Sequence, residues 1–451
     1  MIERALRGVS RAGLFVFFRA RDVTGLENVP SEGPVLLVPN HTNAFVDALV
    51  VAAAAPRRVT LTAKSTLFGQ PVLSSILRGL GAIPLHRRQD RDEGADPSAN
   101  VEALAECRRR LAQGDAICLF PEGVSHSDPS LRPLRTGAAR IALDFVEQES
   151  RNLAIVPVGL DYEAKERFRS AVSARFGEPI DVAAWRESHP GGGARELTAE
   201  IETRLRGLTL NARRRREAVV FRWTAEVLAT RGLPPPLLGR EDGAAADRAT
   251  LAGLVGEGYE RLEASHHEEV AELEGRVRRY HADLRRLGIA PNEVYLEMNA
   301  GRAALFVIRE IETLLVGVPL ALLGTLLHGP AYGLTRDLVA RFSSDRDHWA
   351  TNAVGFGAVL LLLSAAVELA AAWIFLTWPW ALALTVLLPY SGFYVLLYRD
   401  RAGGVFRRTR TFLRLLLHRG LQTRLADEGR GIIAAIEGLA KRIPAGAAPR
   451  P

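Results

Sequence analysis

The stretch Asn40-His41-Thr42-Asn43-Ala44-Phe45-Val46-Asp47 sets an imidazole a short way ahead of a carboxylate. Downstream, Phe120-Pro121-Glu122-Gly123-Val124-Ser125-His126 follows the apolar run Ala116-Ile117-Cys118-Leu119. An alcohol is too weakly acidic to attack a thioester unaided, so a His that takes its proton, itself held by a carboxylate, is the minimal machinery for acyl transfer to a hydroxyl. His41 and Asp47 have the residue types of that pair. The oxyanion that develops would need donors as well, and backbone N–H groups around Gly123, at a strand-to-helix turn, would supply them.

Such residues need a rigid support. From Val35 to Ile180 short apolar runs alternate with helical stretches: Val35–Val38, Val59–Leu61, Ala82–Ile83, Ala116–Phe120, Ala154–Val158 and Val172–Phe176 read as strands. The runs lack strict alternation, which suits strands covered on both faces. Helices near Ala44–Ala55, Val101–Gln113 and Gly137–Gln148 would supply the cover, so the fold class is α/β over residues 21–210.

Residues 211–305 read as a helical arm. Pro234-Pro235-Pro236 interrupts it, and Val270, Leu273, Val277, Tyr280, Leu284 and Leu287, spaced three and four apart, form the apolar stripe of a docked helix. Residues 306–400 read as a membrane region: Ala353–Thr377 carries the single charge Glu368, and Trp380–Tyr398 carries none. A hydrocarbon core needs about 20 apolar residues per helix, so 353–377 and 380–398 are expected to form a transmembrane hairpin turned at Trp378-Pro379-Trp380. Thr313–Thr335, broken by Pro319, Gly324, Gly329 and Pro330, would span, re-enter or lie flat. Glu368 inside a span is costly unless protonated or paired, which makes it a functional hypothesis set against helix–helix hydrogen bonding.

Arg399, Arg401, Arg407, Arg408, Arg410, Arg414 and Arg419 follow the second span, with only Asp400 nearby to oppose them. The positive-inside rule places this end, and the tail 401–451, in the cytoplasm. A two-span hairpin then brings the catalytic candidates to the same face, and an integral protein of a bacterial inner membrane is expected. Residues 1–20 interleave Leu6, Val9, Leu14 and Phe17 with Arg4, Arg7, Arg11 and Arg19, the pattern of an amphipathic helix on a membrane surface rather than a signal peptide.

Composition narrows the partners. Cys107 and Cys118 fall in a helix and a buried strand, which argues against a disulfide framework or a zinc site and for a reducing compartment. The net charge of +7 comes almost wholly from Arg, with Lys only at Lys64, Lys165 and Lys441, a skew that reads as genome composition. The positive field still favours anionic lipid or phosphate partners, and no nucleic-acid motif accompanies it. Ser125, His126 and Asp128 crowd one loop without a nucleophile elbow, so a hydrolase triad is not expected. His266-His267 lacks further ligands at metal spacing, no metal or cofactor is expected, and Gly191-Gly192-Gly193 is a linker.

Four segments in order resemble the glycerolipid acyltransferase superfamily: Asn40–Asp47, Gly81–Arg87, Phe120–His126 and Ile155–Val158. The chain is identified as a member by all four together. Most of the superfamily places four residues between the His and the Asp, whereas here five lie between, Thr42 to Val46. An extra residue turns an ideal helix by about 100°, so His41 must sit ahead of the helix with the addition absorbed in the turn. The longer spacing resembles the glycerol-3-phosphate/dihydroxyacetone-phosphate acyltransferase branch, as do Ser125–Gly137, Leu208–Ala212 and Gly258-Tyr259-Glu260.

The resemblance implies a mixed sheet flanked by helices, plus C-terminal transmembrane helices. It implies that His41 takes the acceptor's proton while Asp47 holds its tautomer, with no acyl-enzyme. Arg87 occupies the position associated with the acceptor's phosphate, Arg135 is a second anion-binding candidate, and Glu122 and Gly123 belong to acceptor binding or local architecture. The implied partners are a phosphorylated glycerol-type acceptor, an acyl thioester donor (acyl-CoA or acyl-carrier protein) and anionic membrane lipid. Acylation of lysophosphatidate, and a non-catalytic lipid-binding membrane scaffold, are the rival readings.

Overall fold

A computed structural model describes residues 2–69, 71–86, 99–230, 244–295, 300–343 and 348–442. Arg87 and the Pro234-Pro235-Pro236 break lie outside the described residues. The chain divides into two compact units. One holds residues 1–215 with 242–253 and 345–351, and the other holds the remainder.

The first unit is built on one mixed sheet. Its strands are β1 (Phe18–Thr24), β2 (Val35–Pro39), β3 (Val59–Lys64), β4 (Ile83–Leu85), β5 (Ala116–Cys118), β6 (Ala154–Tyr162), β7 (Ser170–Phe176) and β8 (Ile180–Asp181). Their spatial order is β1-β7-β6-β2-β5-β3-β4, with β8 also on β6. The pairs from β6 through β2, β5 and β3 to β4 are parallel, while β7 and β8 run antiparallel to β6. All five residues of β2 are buried, as a continuous apolar run covered on both faces requires, and all seven of β7 are buried although Ser170, Ser173 and Arg175 are polar. The helices α2 (Ala44–Ala54), α4 (Ala99–Ala112) and α5 (Gly137–Glu149) provide cover, and Leu36, Ile117, Phe145 and Ile155 meet in the core.

β1 is not visible in the hydrophobic pattern. The helix α1 (Ile2–Phe17) stops within the segment expected to be helical to residue 20, and the chain then pairs parallel with β7. Arg169 terminates it: its N–H donates to Phe17 O at 2.7 Å and its guanidinium to Phe15 O at 2.7 Å. Carbonyls at a helix end lack intrahelical partners, and here the backbone N–H and the side chain of one residue meet two of them.

In the second unit, α8 (Arg215–Leu228), α10 (His267–Leu287) and α14 (Arg419–Ala440) pack through Val220, Val277, Tyr280, Leu284, Leu425 and Ile432. Among the described residues, three helices contain stretches long and apolar enough to cross a membrane: α11 (Ala300–Phe342), α12 (Trp349–Phe375) and α13 (Trp378–Leu417). α11 stays helical through Pro319 and Pro330, and α13 runs far past Tyr398, so the basic tail begins inside a helix.

α12 and α13 follow one another across Leu376-Thr377, but the seam of α13 is with α11. Arg401 forks onto Glu310 at 2.8 and 3.0 Å, Tyr398 Oη donates to Leu314 O at 3.1 Å, and His328 Nε2 lies 3.1 Å from Leu388 O. Numbers rise along one helix as they fall along the other, so the two are antiparallel. A Cβ on Gly324 would come within 2.5 Å of Ser391 O, which shows how closely the backbones approach.

Candidate active site

β2 delivers the site. After Pro39 the chain must leave the sheet, and Asn40 manages the exit: Leu160 N donates to its Oδ1 at 2.7 Å, and its Nδ2 donates to Leu160 O at 3.1 Å. The carboxamide thereby stands in for the next peptide of the β2–β6 ladder. His41 is the first residue beyond it. Thr42 and Asn43 complete the turn, Asn43 is the N-cap of α2, and Ala44 opens the helix at φ +42°. A left-handed φ on alanine is a strained conformation. The fifth intervening residue is absorbed here, ahead of the helix.

The result is a close pair. His41 Nδ1 lies 3.0 Å from Asp47 Oδ2, and the same oxygen accepts the Asn43 N–H at 2.7 Å. Asp47 Oδ1 accepts the Tyr162 hydroxyl at 2.5 Å, and the carboxylate is fully buried. With Nδ1 carrying the proton toward Asp47, the lone pair of the ring sits on Nε2. The imidazole stacks on Phe120, ring centres 3.9 Å apart. Burial, then the neighbouring Asp47 charge, raises the Tyr162 phenol well above its ordinary range, so it remains a donor.

Glu122 ties the second motif to the first. Its Oε1 accepts the His41 N–H at 2.6 Å, and its Oε2 accepts the Arg132 N–H at 2.9 Å. His126 Nε2 closes on the same Oε2, while His126 Nδ1 accepts the Asp128 N–H at 3.1 Å. That acceptor role puts the His126 proton on Nε2, facing Glu122. His126 N then donates to His41 O at 3.1 Å. Both oxygens of Glu122 are thus occupied from within the protein.

Gly123 turns at φ +76°, and its N–H donates to Phe120 O at 3.1 Å. This N–H is therefore engaged in the turn rather than held out for a substrate oxyanion. The Arg135 side chain lies over Gly123, where a Cβ would meet its Nε at 2.7 Å. Arg135 itself is exposed, and its N–H on Pro121 O, at 2.8 Å, fixes its place on the rim. Nearby, the hydrogen bond from Arg132 holds the Asp128 carboxyl below its usual range.

The sequence profile of the family described as Acyltransferase matches residues 20–161. A lyso-ornithine lipid O-acyltransferase of Brucella abortus is 30% identical over 234 residues, which cover 50% of this chain and 79% of that protein. The chain belongs to the acyltransferase family. An uncharacterized acyltransferase of Schizosaccharomyces pombe is 26% identical over 249 residues, 37% of each chain. Glycerol-3-phosphate O-acyltransferase 2 of Saccharomyces cerevisiae is 37% identical over 89 residues, 20% of this chain and 12% of the yeast protein. The chain thus spans well under half the length of the two yeast relatives.

His41, Asp47, Arg87, Glu122, Gly123 and Arg135 all fall inside the matched acyltransferase segment. The structure brings His41, Asp47 and Glu122 into one hydrogen-bonded network and sets Gly123 and Arg135 against each other beside it. Two contributors escaped the sequence reading. Tyr162 closes β6, at the carboxyl ends of adjacent parallel strands, where open α/β sheets gather their ligands, and that position was the available signal. Lys165 donates to Thr42 O and to Ser127 Oγ, both at 2.7 Å, joining the two acyltransferase motif loops from outside. Its rarity in an Arg-rich chain was the only hint.

Proposed function

We propose that the chain transfers a fatty acyl group from an acyl thioester to the first-position hydroxyl of glycerol 3-phosphate or dihydroxyacetone phosphate, as a membrane-bound enzyme of phospholipid synthesis working at the cytoplasmic face. The observation that carries this reading is the buried His41–Asp47 pair, whose Nε2 keeps its lone pair while Nδ1 faces the carboxylate. His41 Nε2 takes the hydroxyl proton as the oxygen attacks the thioester carbonyl, and a tetrahedral oxyanion forms. When the C–S bond breaks, the departing sulfur takes that proton from His41 and leaves as a free thiol. Arg87 and Arg135 are assigned to the acceptor's phosphate, which a guanidinium matches in shape and charge.

A second reading has one observation in its favour. The Brucella protein whose length is 79% covered is named for a lysolipid acceptor, and a lysolipid hydroxyl, that of lysophosphatidate included, would ask the same base of His41. Purified enzyme offered glycerol 3-phosphate, dihydroxyacetone phosphate, lysophosphatidate and lyso-ornithine lipid in turn, with acyl-CoA and with acyl-carrier protein, separates the two. Turnover of either small phosphate supports the first reading. Exclusive use of a lysolipid replaces it with the second.

A further inference from the structure

We propose that Tyr162 is a positioning residue for the proton-abstracting pair: its hydroxyl fixes the plane of the Asp47 carboxylate and moderates how strongly Asp47 holds a proton on His41. The proposal rests on the reading that His41 is the base. A carboxylate that only touched His41 would be free to rotate about its Cβ–Cγ bond. Here Oδ2 is shared by His41 Nδ1 and the Asn43 N–H while Oδ1 is held by Tyr162, so three donors from three directions define one orientation.

The Tyr162 end of this arrangement is rigid. The residue lies within β6, opposite Val172 of β7, and its ring packs against that of Phe18, centres 5.8 Å apart. Side chains locked by packing and mounted on a strand hold a neighbour more firmly than side chains on loops do. Asp47, in contrast, sits in the first turn of a helix that begins at a strained alanine. The sheet thus steadies a carboxylate that the helix alone would leave less constrained.

A second effect is electrostatic. A hydrogen bond donated to a carboxylate spreads its charge and weakens its pull on a proton elsewhere. Removing the Tyr162 hydroxyl would leave Oδ1 bare in a fully buried site, and the more basic Asp47 would hold the protonated His41 more tightly. His41 then needs a higher pH to become the free base. Among the described residues, the other titratable groups beside the cluster are Cys118 of β5, Asp161 of β6, Glu122 at the His41 N–H, His126 at the His41 carbonyl and Lys165 at the Thr42 carbonyl.

The test uses the full-length enzyme in detergent micelles, with whichever acceptor it turns over. Tyr162→Phe keeps the ring and its packing. It is expected to lower kcat about tenfold, to leave the acceptor KM within about twofold, and to move the acid limb of the kcat/KM profile upward by about half a pH unit or more. In an Asp47→Ala background the same change should have no further effect on rate, because the group it acts through is gone. Replacing Tyr162 by 3-fluorotyrosine, a stronger donor of nearly the same shape, should move the limb downward and serves if Tyr162→Phe does not fold.

A folded Tyr162→Phe enzyme with the wild-type pH profile overturns the proposal, as does an undiminished effect in the Asp47→Ala background. His41→Ala separates this failure from that of the underlying reading. Activity surviving in His41→Ala removes the base itself, whereas an inactive His41→Ala beside an unaltered Tyr162→Phe removes only the role of Tyr162.

Discussion

Two acidic side chains, the buried Glu122 in the sheet unit and the half-buried Glu368 on α12, meet opposite fates. Glu122 receives the backbone N–H groups of His41 and Arg132 and the ring of His126. Glu368 receives the hydroxyl of Ser364, one turn back on its own helix, and its second oxygen has no hydrogen-bond partner among the described residues. The cause is what surrounds each. Where strands end and loops turn, backbone N–H groups are left over and need acceptors, and a carboxylate answers several at once. Inside a helix every N–H is consumed four residues back, so an acid there finds only side chains. Loops at the carboxyl ends of strands can organise buried charge, and apolar helices can barely accommodate it.

That contrast can be pressed experimentally. The largest effect is expected from His41→Ala, which should cut turnover by about a thousandfold or more with little change in thermal stability, since the His41 contacts to Glu122 and His126 run through its backbone. Activity measured beside a melting curve checks both halves. Glu122→Ala should reverse the balance: two backbone N–H groups and the His126 ring lose their acceptor, at a cost of roughly 1–3 kcal/mol for each buried group left unpaired. A fall in the denaturant midpoint, with activity lost as the loop detaches from His41, is the expected result. A stable and active Glu122→Ala protein would contradict the role of strut.

On the other side of the comparison, Gly324→Leu pushes a side chain into the backbone of α13 at Ser391. Overpacking of this kind costs roughly 1–3 kcal/mol, read as a lower melting temperature in detergent with the pH profile of the site unchanged. The smallest effect belongs to Glu368→Gln. An acid that organises nothing should be replaceable by its neutral isostere within about 0.5 kcal/mol, without loss of turnover. A large loss of turnover in that variant would give α12 a part in the chemistry and dissolve the contrast.

The parts of the site that lay close together in the chain were legible in advance. His41 and Asp47 are near neighbours in sequence, and the extra residue between them could be placed in the turn because a helix tolerates no other arrangement. The core strands were readable because burial on both faces leaves unbroken apolar runs such as Val35–Val38. Tyr162 was hidden because it reaches Asp47 across 115 residues, a contact that only the ordering of the sheet creates. β1 was hidden because its alternating residues, Arg19 and Arg21 among them, face outward at the sheet edge and resemble a polar helix. In α11, proline and glycine read as breaks, yet the helix persists, as apolar helices do when neighbours meet the freed carbonyls.

The side-chain ladder of Asn40 carries a last consequence. A carboxamide that imitates a peptide group makes the sheet one rung longer than its backbone, and His41 is fastened to that rung by a single peptide bond. The imidazole assigned above as the base is therefore a fixture of the scaffold rather than a mobile arm. Under the proposed mechanism, substrates must be brought to it.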